Sequence, residues 1–279
     1  MSALRTAAEG MSAFAAPSRT LVLYGDFSCA TCYLASQRVD GLTRAGVAVE
    51  WRAVEHRPEL PVTGLRHDVD TRSAAEHALA HSRALLRPGE QLPLAVPAMV
   101  PKTQAAVSAY AEACGAELRD EIRRLLFTAY WVDGMDIGNP EVLLTLLGGT
   151  FMRGKAISEP IREWGFAVAV TRGPITSRAW RLIRDWNQEW QALGRPELPS
   201  LWDATRIQSG ERALGQLADE VSQAPMPGDA PDGGGPRVNV VSGWRPPTTV
   251  HPAGNVGVTG WRSVGARVAD EPLSAHDSC

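Results

Sequence analysis

The feature that most constrains this chain is an apolar run that ends in two cysteines separated by two residues. The run over residues 20–25 is short and rich in Leu, Val and Tyr, which is typical of a buried strand ending at a turn near Asp26. Beyond Cys29 and Cys32, apolar residues recur at helical intervals until Gly46. The sequence therefore places two thiols between the end of a strand and the start of a helix.

That position has a chemical consequence for the first cysteine. The first backbone N–H groups of a helix lack intrahelical partners, and the helix dipole places partial positive charge there, so a thiolate is stabilised. We expect the pKa of Cys29 to lie below that of a free cysteine. Cys32 follows one turn later on the same face, which suits a disulfide with Cys29. We therefore assign Cys29 as the attacking nucleophile and Cys32 as the resolving thiol, with exchange through a mixed disulfide on Cys29.

Two other interpretations of the cysteine pair are open. A Cys-x-x-Cys supplies two ligands of a zinc site, but such a site needs two more, and Cys114 and Cys279 are isolated in the sequence. In the other interpretation, the cysteines are inert residues that only pack in the core. We favour the redox interpretation over both, and we assign no metal site to the pair.

Composition restricts the class of protein and its partners. The 279 residues are 44% hydrophobic, which suffices for a substantial core in a soluble globular protein. A formal net charge of −3 gives no reason to expect nucleic acid or an anionic membrane as a partner. The first 17 residues lack the apolar core of a signal peptide, and no run approaches the roughly 18 apolar residues of a membrane span. We expect a cytoplasmic protein, in which a Cys-x-x-Cys is more often catalytic than structural.

Hydrophobic periodicity predicts an α/β domain interrupted by helices. Residues 47–54 alternate well enough to form a second strand, which makes a strand–helix–strand unit with parallel strands. From 58 to 193 helical periodicity dominates. We predict helices there over 71–86, 102–114 and 117–132, one capped by Asn139 with Pro140 at its first position, and one starting at Thr176.

The strand signal returns near the end of the folded region. The helix from Thr176 carries an apolar stripe that we interpret as core, formed by Trp180, Ile183, Trp186, Trp190 and Leu193. After Gly194, residues 198–202 predict a strand that begins at a proline, 204–209 its hairpin partner, and Gly210 the start of a last helix. We thus predict a thioredoxin-like domain from 19–57 and 194–221, with a helical insertion domain over 58–193.

The two ends of the chain have a different composition. Residues 1–18 are rich in Ala and Ser and predict a flexible leader. From 222 to 279, 17 of 58 residues are Gly or Pro and Leu273 is the only Leu, Ile or Phe, which predicts a mostly disordered tail. Within it, 241–245 and 258–262 are near copies, each ending in Gly-Trp-Arg. They are either docking motifs for a protein partner, short strands that fold back, or a chance product of the biased composition.

Four groups of residues make the chain resemble a known family. They are Asp26-Phe27-Ser28-Cys29-Ala30-Thr31-Cys32-Tyr33; Thr103 with Ala105 and Ala106, Leu126-Phe127-Thr128-Ala129-Tyr130-Trp131, Gly134-Met135-Asp136-Ile137 and Asn139-Pro140; 183–190 with Leu193-Gly194; and Leu198-Pro199-Ser200. With these motifs, residues 20–221 resemble the DsbA-like branch of the thioredoxin superfamily. They are most similar to its cytoplasmic group of FrnE-like proteins, 2-hydroxychromene-2-carboxylate isomerases and kappa-class glutathione transferases.

The resemblance implies roles for residues beyond the cysteines. It implies a thioredoxin-like sheet and a cis peptide bond before Pro199, facing the cysteine pair; Pro174 is the rival, but it precedes a capped helix and fits a turn. The backbone of Leu198 and Pro199 would then pair with an extended substrate. We add Phe27 and Thr31, which flank Cys29, as substrate-binding residues; the Thr31 hydroxyl is also placed to hydrogen-bond a Cys29 thiolate.

One departure from the family concerns the dipeptide between the cysteines. Ala30-Thr31 replaces the Pro-containing or His-containing pairs usual in strong catalysts of the family. We therefore expect weaker oxidising power than such catalysts have.

Histidines do not suggest a metal centre. His77 and His81 are four residues apart and face the same way on a helix, near His67, Asp68 and Asp70. Glu76 precedes His77 and does not lie between the two histidines, so the protease zinc motif is not present. We interpret this face as solvated and expect no bound cofactor.

These observations leave three hypotheses of function. The first is a thiol–disulfide oxidoreductase that acts on protein or small-thiol disulfides and is recycled by an external thiol reductant. The second is an isomerase or glutathione-transferase-like enzyme acting on a thiol conjugate or biosynthetic intermediate, which the paired cysteines disfavour. The third is a non-catalytic binding protein whose tail recruits a partner.

Overall fold

The computed structural model describes residues 20–156 and 158–223. The predicted leader over 1–18, and the tail from 224 onward with its Trp-Arg repeats and Cys279, lie outside the described residues. Within them no helix is long and apolar enough to cross a membrane.

The central sheet is mixed and has the strand order β2-β1-β5-β6. Its strands are β1 (Leu21–Gly25), β2 (Val49–Ala53), β5 (Ser200–Trp202) and β6 (Ile207–Ser209). As predicted, β1 and β2 are parallel, and Leu23 lies opposite Trp51. The other two pairings are antiparallel, with Leu201 opposite Leu23 across β1 and β5. Every residue of β1 is buried, because this strand has neighbours on both edges and helices on both faces.

Eight helices occur among the described residues. They are α1 (Ala30–Arg44), α2 (Val69–Ala84), α3 (Gln104–Gly115), α4 (Arg119–Trp131), α5 (Pro140–Arg153), α6 (Glu159–Trp164), α7 (Ser177–Ala192) and α8 (Gly210–Gln223). The predicted caps are present: Asn139 accepts a hydrogen bond from the Glu141 N–H at 2.9 Å, and Thr176 accepts one from the Ala179 N–H at 3.2 Å. The order of strands and helices confirms the predicted thioredoxin-like fold, with most of the helices placed between β2 and β5.

Helices cover the sheet on both faces. Successive side chains of β2 point to opposite faces and therefore contact different helices. Trp51 packs edge-on against Phe127 of α4, with ring centroids 5.6 Å apart. On the opposite face, Arg52 forms an ion pair with Glu189 of α7, and the Tyr24 hydroxyl donates to the same carboxylate at 3.0 Å. α1 packs along α8, and α3 along α7. The core is therefore continuous from the sheet into the helices of the middle segment.

Several details differ from the expectations. The middle segment contains a two-residue ladder between β3 (Leu65–Arg66) and β4 (Met99–Val100), and the short helix α6. α2 begins before residue 71, because Asp68 caps it in a capping box with Thr71. The predicted apolar stripe of α7 is only partly core. Trp186 and Trp190 are buried, whereas Trp180 is 54% and Leu193 is 41% exposed.

Candidate functional site

The cysteine pair lies where β1 passes into α1. Gly25 ends the strand directly against the indole ring of Trp51, so that any Cβ at this position would collide with the ring. After a three-residue loop, Cys29 occupies the N-cap of α1 with extended backbone. Its sulfur accepts a hydrogen bond from the Cys32 N–H at 3.4 Å. The predicted arrangement of a thiol on the first turn of a helix is therefore present.

The two thiols are both free, and they have different surroundings. Cys29 is partly exposed, whereas Cys32 is fully buried and lies 3.2 Å from it. The Cys32 side chain donates a hydrogen bond to the Cys29 sulfur, and this bond lowers the pKa of Cys29. Burial opposes that shift, while hydrogen bonds from Thr31 and from the Cys32 backbone add to it. Burial raises the pKa of Cys32 well above its usual value, and its hydrogen bond to Cys29 and the charge of Cys29 raise it further.

The loop before β5 faces the first cysteine. The Leu198–Pro199 peptide bond is cis, as the resemblance implies. The Leu198 carbonyl oxygen lies 4.0 Å from the Cys29 sulfur and 3.3 Å from the Thr31 hydroxyl oxygen. That hydroxyl is also 3.0 Å from the Cys29 sulfur. Cys29, Thr31 and the Leu198 backbone thus meet at one point, at the end of the sheet where β1 stops and β5 begins.

Phe27 occupies a different position from the one a substrate-binding role requires. Its side chain is fully buried, and its ring packs 5.1 Å from Phe127 and 5.8 Å from Tyr110 between centroids. The Phe27 carbonyl accepts a hydrogen bond from the Trp131 indole N–H at 3.0 Å. The side chain of Phe27 therefore supports the loop from the core and does not reach the surface, because the helices of the middle segment enclose it.

Comparisons with known proteins bear on this arrangement. The profile of the DSBA-like thioredoxin domain family matches residues 20–161, which include the cysteine pair and the helices that support it. The chain belongs to the DSBA-like thioredoxin domain family. No curated protein gave a match.

Solved structures of low identity share the fold of this DSBA-like chain. A probable DsbA oxidoreductase from Streptomyces coelicolor has a TM-score of 0.54 at 17% identity, with 74% of this chain and 89% of that chain covered. A 2-hydroxychromene-2-carboxylate isomerase has a TM-score of 0.52 at 16% identity, with 73% and 94% covered. The cytosolic disulfide reductase DsbM from Pseudomonas aeruginosa has a TM-score of 0.50 at 21% identity, with 73% and 95% covered. At these identities the likeness establishes the fold.

A buried carboxylate beneath the cysteine loop is the main feature that sequence reasoning did not single out. Asp26 is 1% exposed, and one of its oxygens accepts from the Ser28 N–H at 2.7 Å and the Ser28 hydroxyl at 2.8 Å. The other accepts from the His56 N–H at 2.7 Å and the Thr103 hydroxyl at 3.0 Å. Asp26 therefore joins the loop after β1 to the segment after β2 and to the start of α3. The signal available in the sequence was its place at the carboxyl end of a parallel strand, where α/β proteins gather functional groups.

A second acidic group lies at the same end of this DSBA-like sheet. Glu55 follows β2 and pairs with Lys102 at 3.1 Å, and the lysine also donates to the Pro58 carbonyl at 2.6 Å. Burial raises the pKa of Glu55, and Lys102 opposes that shift. The ring of His56 packs against Trp190, with centroids 6.3 Å apart. His56 therefore meets the site through its backbone N–H, and its ring packs on α7.

The remaining candidates lie away from the cysteine pair. Among the described residues no group of three or more His, Cys, Asp or Glu side chains is placed to hold a metal ion. His81 contacts Glu211 of α8, while Asp68 caps α2. Burial raises the pKa of Cys114 to about 12, so this thiol stays protonated near neutral pH.

Proposed function

We propose that the chain is a thiol–disulfide oxidoreductase in which Cys29 attacks and Cys32 resolves. The observation that carries this proposal is the opposite influence of the site on two adjacent thiols. Hydrogen bonds on the partly exposed Cys29 favour its thiolate, while burial keeps Cys32 protonated until it is needed. A thiolate is the nucleophile in disulfide exchange, so the accessible cysteine is the one prepared to attack.

The proposed reaction proceeds through two exchange steps. The Cys29 thiolate attacks one sulfur of a substrate disulfide, which forms a mixed disulfide and releases the first substrate thiolate. Cys32 then loses its proton and attacks the Cys29 sulfur, which releases the second substrate thiolate and leaves the Cys29–Cys32 disulfide. Two electrons pass from the protein to the substrate. An external thiol reductant restores the dithiol by the reverse exchange.

The proposed substrates are protein disulfides or small-thiol disulfides. The carbonyl of Leu198 faces Cys29, which supports a role for the backbone of Leu198 and Pro199 in pairing with an extended substrate. Related folds carry the names disulfide reductase and DsbA oxidoreductase, which agrees with this class of reaction. The cytoplasmic location stays part of the proposal, as does a protein partner for the tail.

A redox titration tests the proposal. The full chain carrying Cys114→Ala and Cys279→Ser is equilibrated at a series of thiol–disulfide poises, and free thiols are alkylated at each. We expect a reversible two-electron transition, with a tenfold change in the ratio of the two forms per about 30 mV. The same chain with Cys29→Ser is the control and should show no transition. A pair that forms no disulfide at any poise would overturn the proposal.

A further inference from the structure

The Thr31 hydroxyl lies between two groups that compete for its single proton. It is 3.0 Å from the Cys29 sulfur and 3.3 Å from the Leu198 carbonyl oxygen. A carbonyl oxygen can only accept, so the second contact requires the hydroxyl to donate to Leu198. The contact with sulfur is then satisfied only if the Cys29 thiol donates to the hydroxyl oxygen.

The preferred partner of Thr31 therefore depends on the chemical state of Cys29. A thiolate has no proton to donate and is a charged acceptor, which makes it a stronger partner than a neutral carbonyl. With Cys29 ionised, the hydroxyl turns to the sulfur and the Leu198 carbonyl is released. A disulfide sulfur has neither a proton nor a charge and accepts weakly. With Cys29 in the disulfide, the hydroxyl donates to Leu198 again.

We propose that the Thr31 hydroxyl makes substrate binding at the Leu198 carbonyl dependent on the redox state of Cys29. This inference rests on the proposed function, in which that carbonyl accepts a backbone N–H from the substrate. The carbonyl is open while the protein is a reduced thiolate, and Thr31 occupies it once the protein is oxidised. Disulfides of peptides, which present an amide N–H, are thus bound before exchange and released after it. Disulfides without an amide gain nothing from the carbonyl.

Other groups around Cys29 do not provide the same switch. The titratable groups that act on its sulfur are Cys32, which donates to it, and Asp26, whose charge opposes its ionisation. Both oxygens of Asp26 are engaged by Ser28, by the His56 backbone and by Thr103. Thr31 hydrogen-bonds with Cys29 and also contacts the Leu198 carbonyl oxygen at 3.3 Å, whereas the Cys29 sulfur itself lies 4.0 Å from that oxygen, a longer and weaker contact. Most of the coupling between Cys29 and Leu198 should therefore disappear when the hydroxyl is removed.

The test compares binding of an unreactive peptide to the reduced and oxidised forms of the full chain. The probe is a blocked tripeptide with S-methylcysteine at its centre and alanine on either side, titrated by NMR above the pKa of Cys29. We expect the reduced wild type to bind about 3- to 10-fold more tightly than the oxidised form, the worth of about one net hydrogen bond. In Thr31→Val the ratio should fall to near one, because the oxidised form now binds as tightly as the reduced form. Thr31→Ser keeps the hydroxyl and should keep the ratio.

Each contrary result has a definite meaning. Equal affinity of the two wild-type forms, a ratio that survives in Thr31→Val, or no binding to any form overturns the inference. Exchange between the reduced wild type and hydroxyethyl disulfide, which has no amide, is measured in parallel. If that exchange occurs while the affinity ratio is one, only the role of Thr31 fails. If it does not occur, the proposed function itself fails.

Discussion

Cys29 and Cys32 differ in accessibility, and this difference supports the proposed order of attack. Of the two, only Cys29 is partly exposed, so a substrate sulfur would reach it first. We expect Cys29→Ser to reduce disulfide exchange to the uncatalysed background. Cys32→Ser should instead leave the first step intact and accumulate a mixed disulfide on Cys29, because nothing resolves it. Mass spectrometry after a single turnover distinguishes the two variants, and an adduct on Cys32 in Cys29→Ser would contradict the assignment.

The thiolate of Cys29 should also determine how reactivity depends on pH. Its pKa is lowered by the hydrogen bond from Cys32, so its reactive fraction increases with pH over a range below the ordinary cysteine pKa of about 8.5. Alkylation of Cys29 by iodoacetamide should therefore reach half its maximal rate below that pH. Cys114, whose pKa burial raises to about 12, should stay unreactive over the same range and serves as the internal control. Equal midpoints for the two thiols would contradict the hydrogen-bond argument.

Among single residues, the sequence predicts the two cysteines better than it predicts the side chains that hold their loop in place. The spacing of Cys29 and Cys32 and the resemblance around Pro199 are local patterns, and the structure brings them together. The partners of Asp26 could not be predicted, because Thr103 is 77 residues away and His56 contributes only a backbone N–H. Phe27 stands beside Cys29 in sequence, yet its ring points into the core.

Asp26 connects three segments of the fold, so replacing it should lower the stability of the protein. In Asp26→Asn, either orientation of the amide sets its NH₂ group against a backbone N–H, that of Ser28 or that of His56. We expect a loss of about 1–3 kcal/mol in the free energy of unfolding, measured in urea. Thr103→Val removes a single hydroxyl donor and should cost about 1 kcal/mol. A loss in Asp26→Asn no larger than that in Thr103→Val would argue against the connection.

Arg123 attaches α4 to α1, the helix that begins at the cysteine pair. Its guanidinium is fully buried and donates to the Ser36 carbonyl at 2.7 Å and to Asp40 at 2.6 Å. Arg123→Ala should lower the free energy of unfolding by about 1–3 kcal/mol, because it leaves the buried carbonyl and hydroxyl of Ser36 without their donor. Arg124→Ala is the matched control: this side chain is exposed and pairs only at the surface with Asp40, so about 0–1 kcal/mol is expected. Both free energies are measured by chemical denaturation. Similar losses for the two variants would contradict the distinction between the buried and the exposed arginine.

Helices were predictable where a cap and an apolar stripe coincide. Asn139-Pro140 and Thr176 start α5 and α7 as expected, whereas α6 and the β3–β4 ladder are too short to produce a periodic pattern. The exposed Trp180 shows the limit of periodicity. Trp180 has the spacing of the stripe, but it lies one turn before Ile183, near the start of α7, and packs over Gly173 at the surface.

For the whole molecule, residues 20–223 contain every group assigned to the exchange reaction. We expect a chain that ends after residue 223 to keep its rate of disulfide exchange within about twofold of the full-length rate. A chain shortened within α8 is the control. It should lose stability, because Leu214 and Leu217 are buried against the core. The binding-protein hypothesis predicts instead that removal of 224–279 abolishes association with a partner. A loss of exchange after the same removal would contradict the assignment of the whole reaction to residues 20–223.

The packing of α1 along α8 has a consequence for the biosynthesis of the protein. Arg38 of α1 donates to the Leu214 carbonyl of α8 at 2.8 Å, and β1 pairs with β5, so the first elements of the fold depend on the last ones. During translation these contacts cannot form until α8 has left the ribosome, and folding dominated by such distant contacts is slow. Until then Cys29 lacks the N-terminal turn of a folded helix that would stabilise its thiolate. If the proposed exchange reaction holds, we expect the chain to acquire it only when synthesis of the folded region is complete.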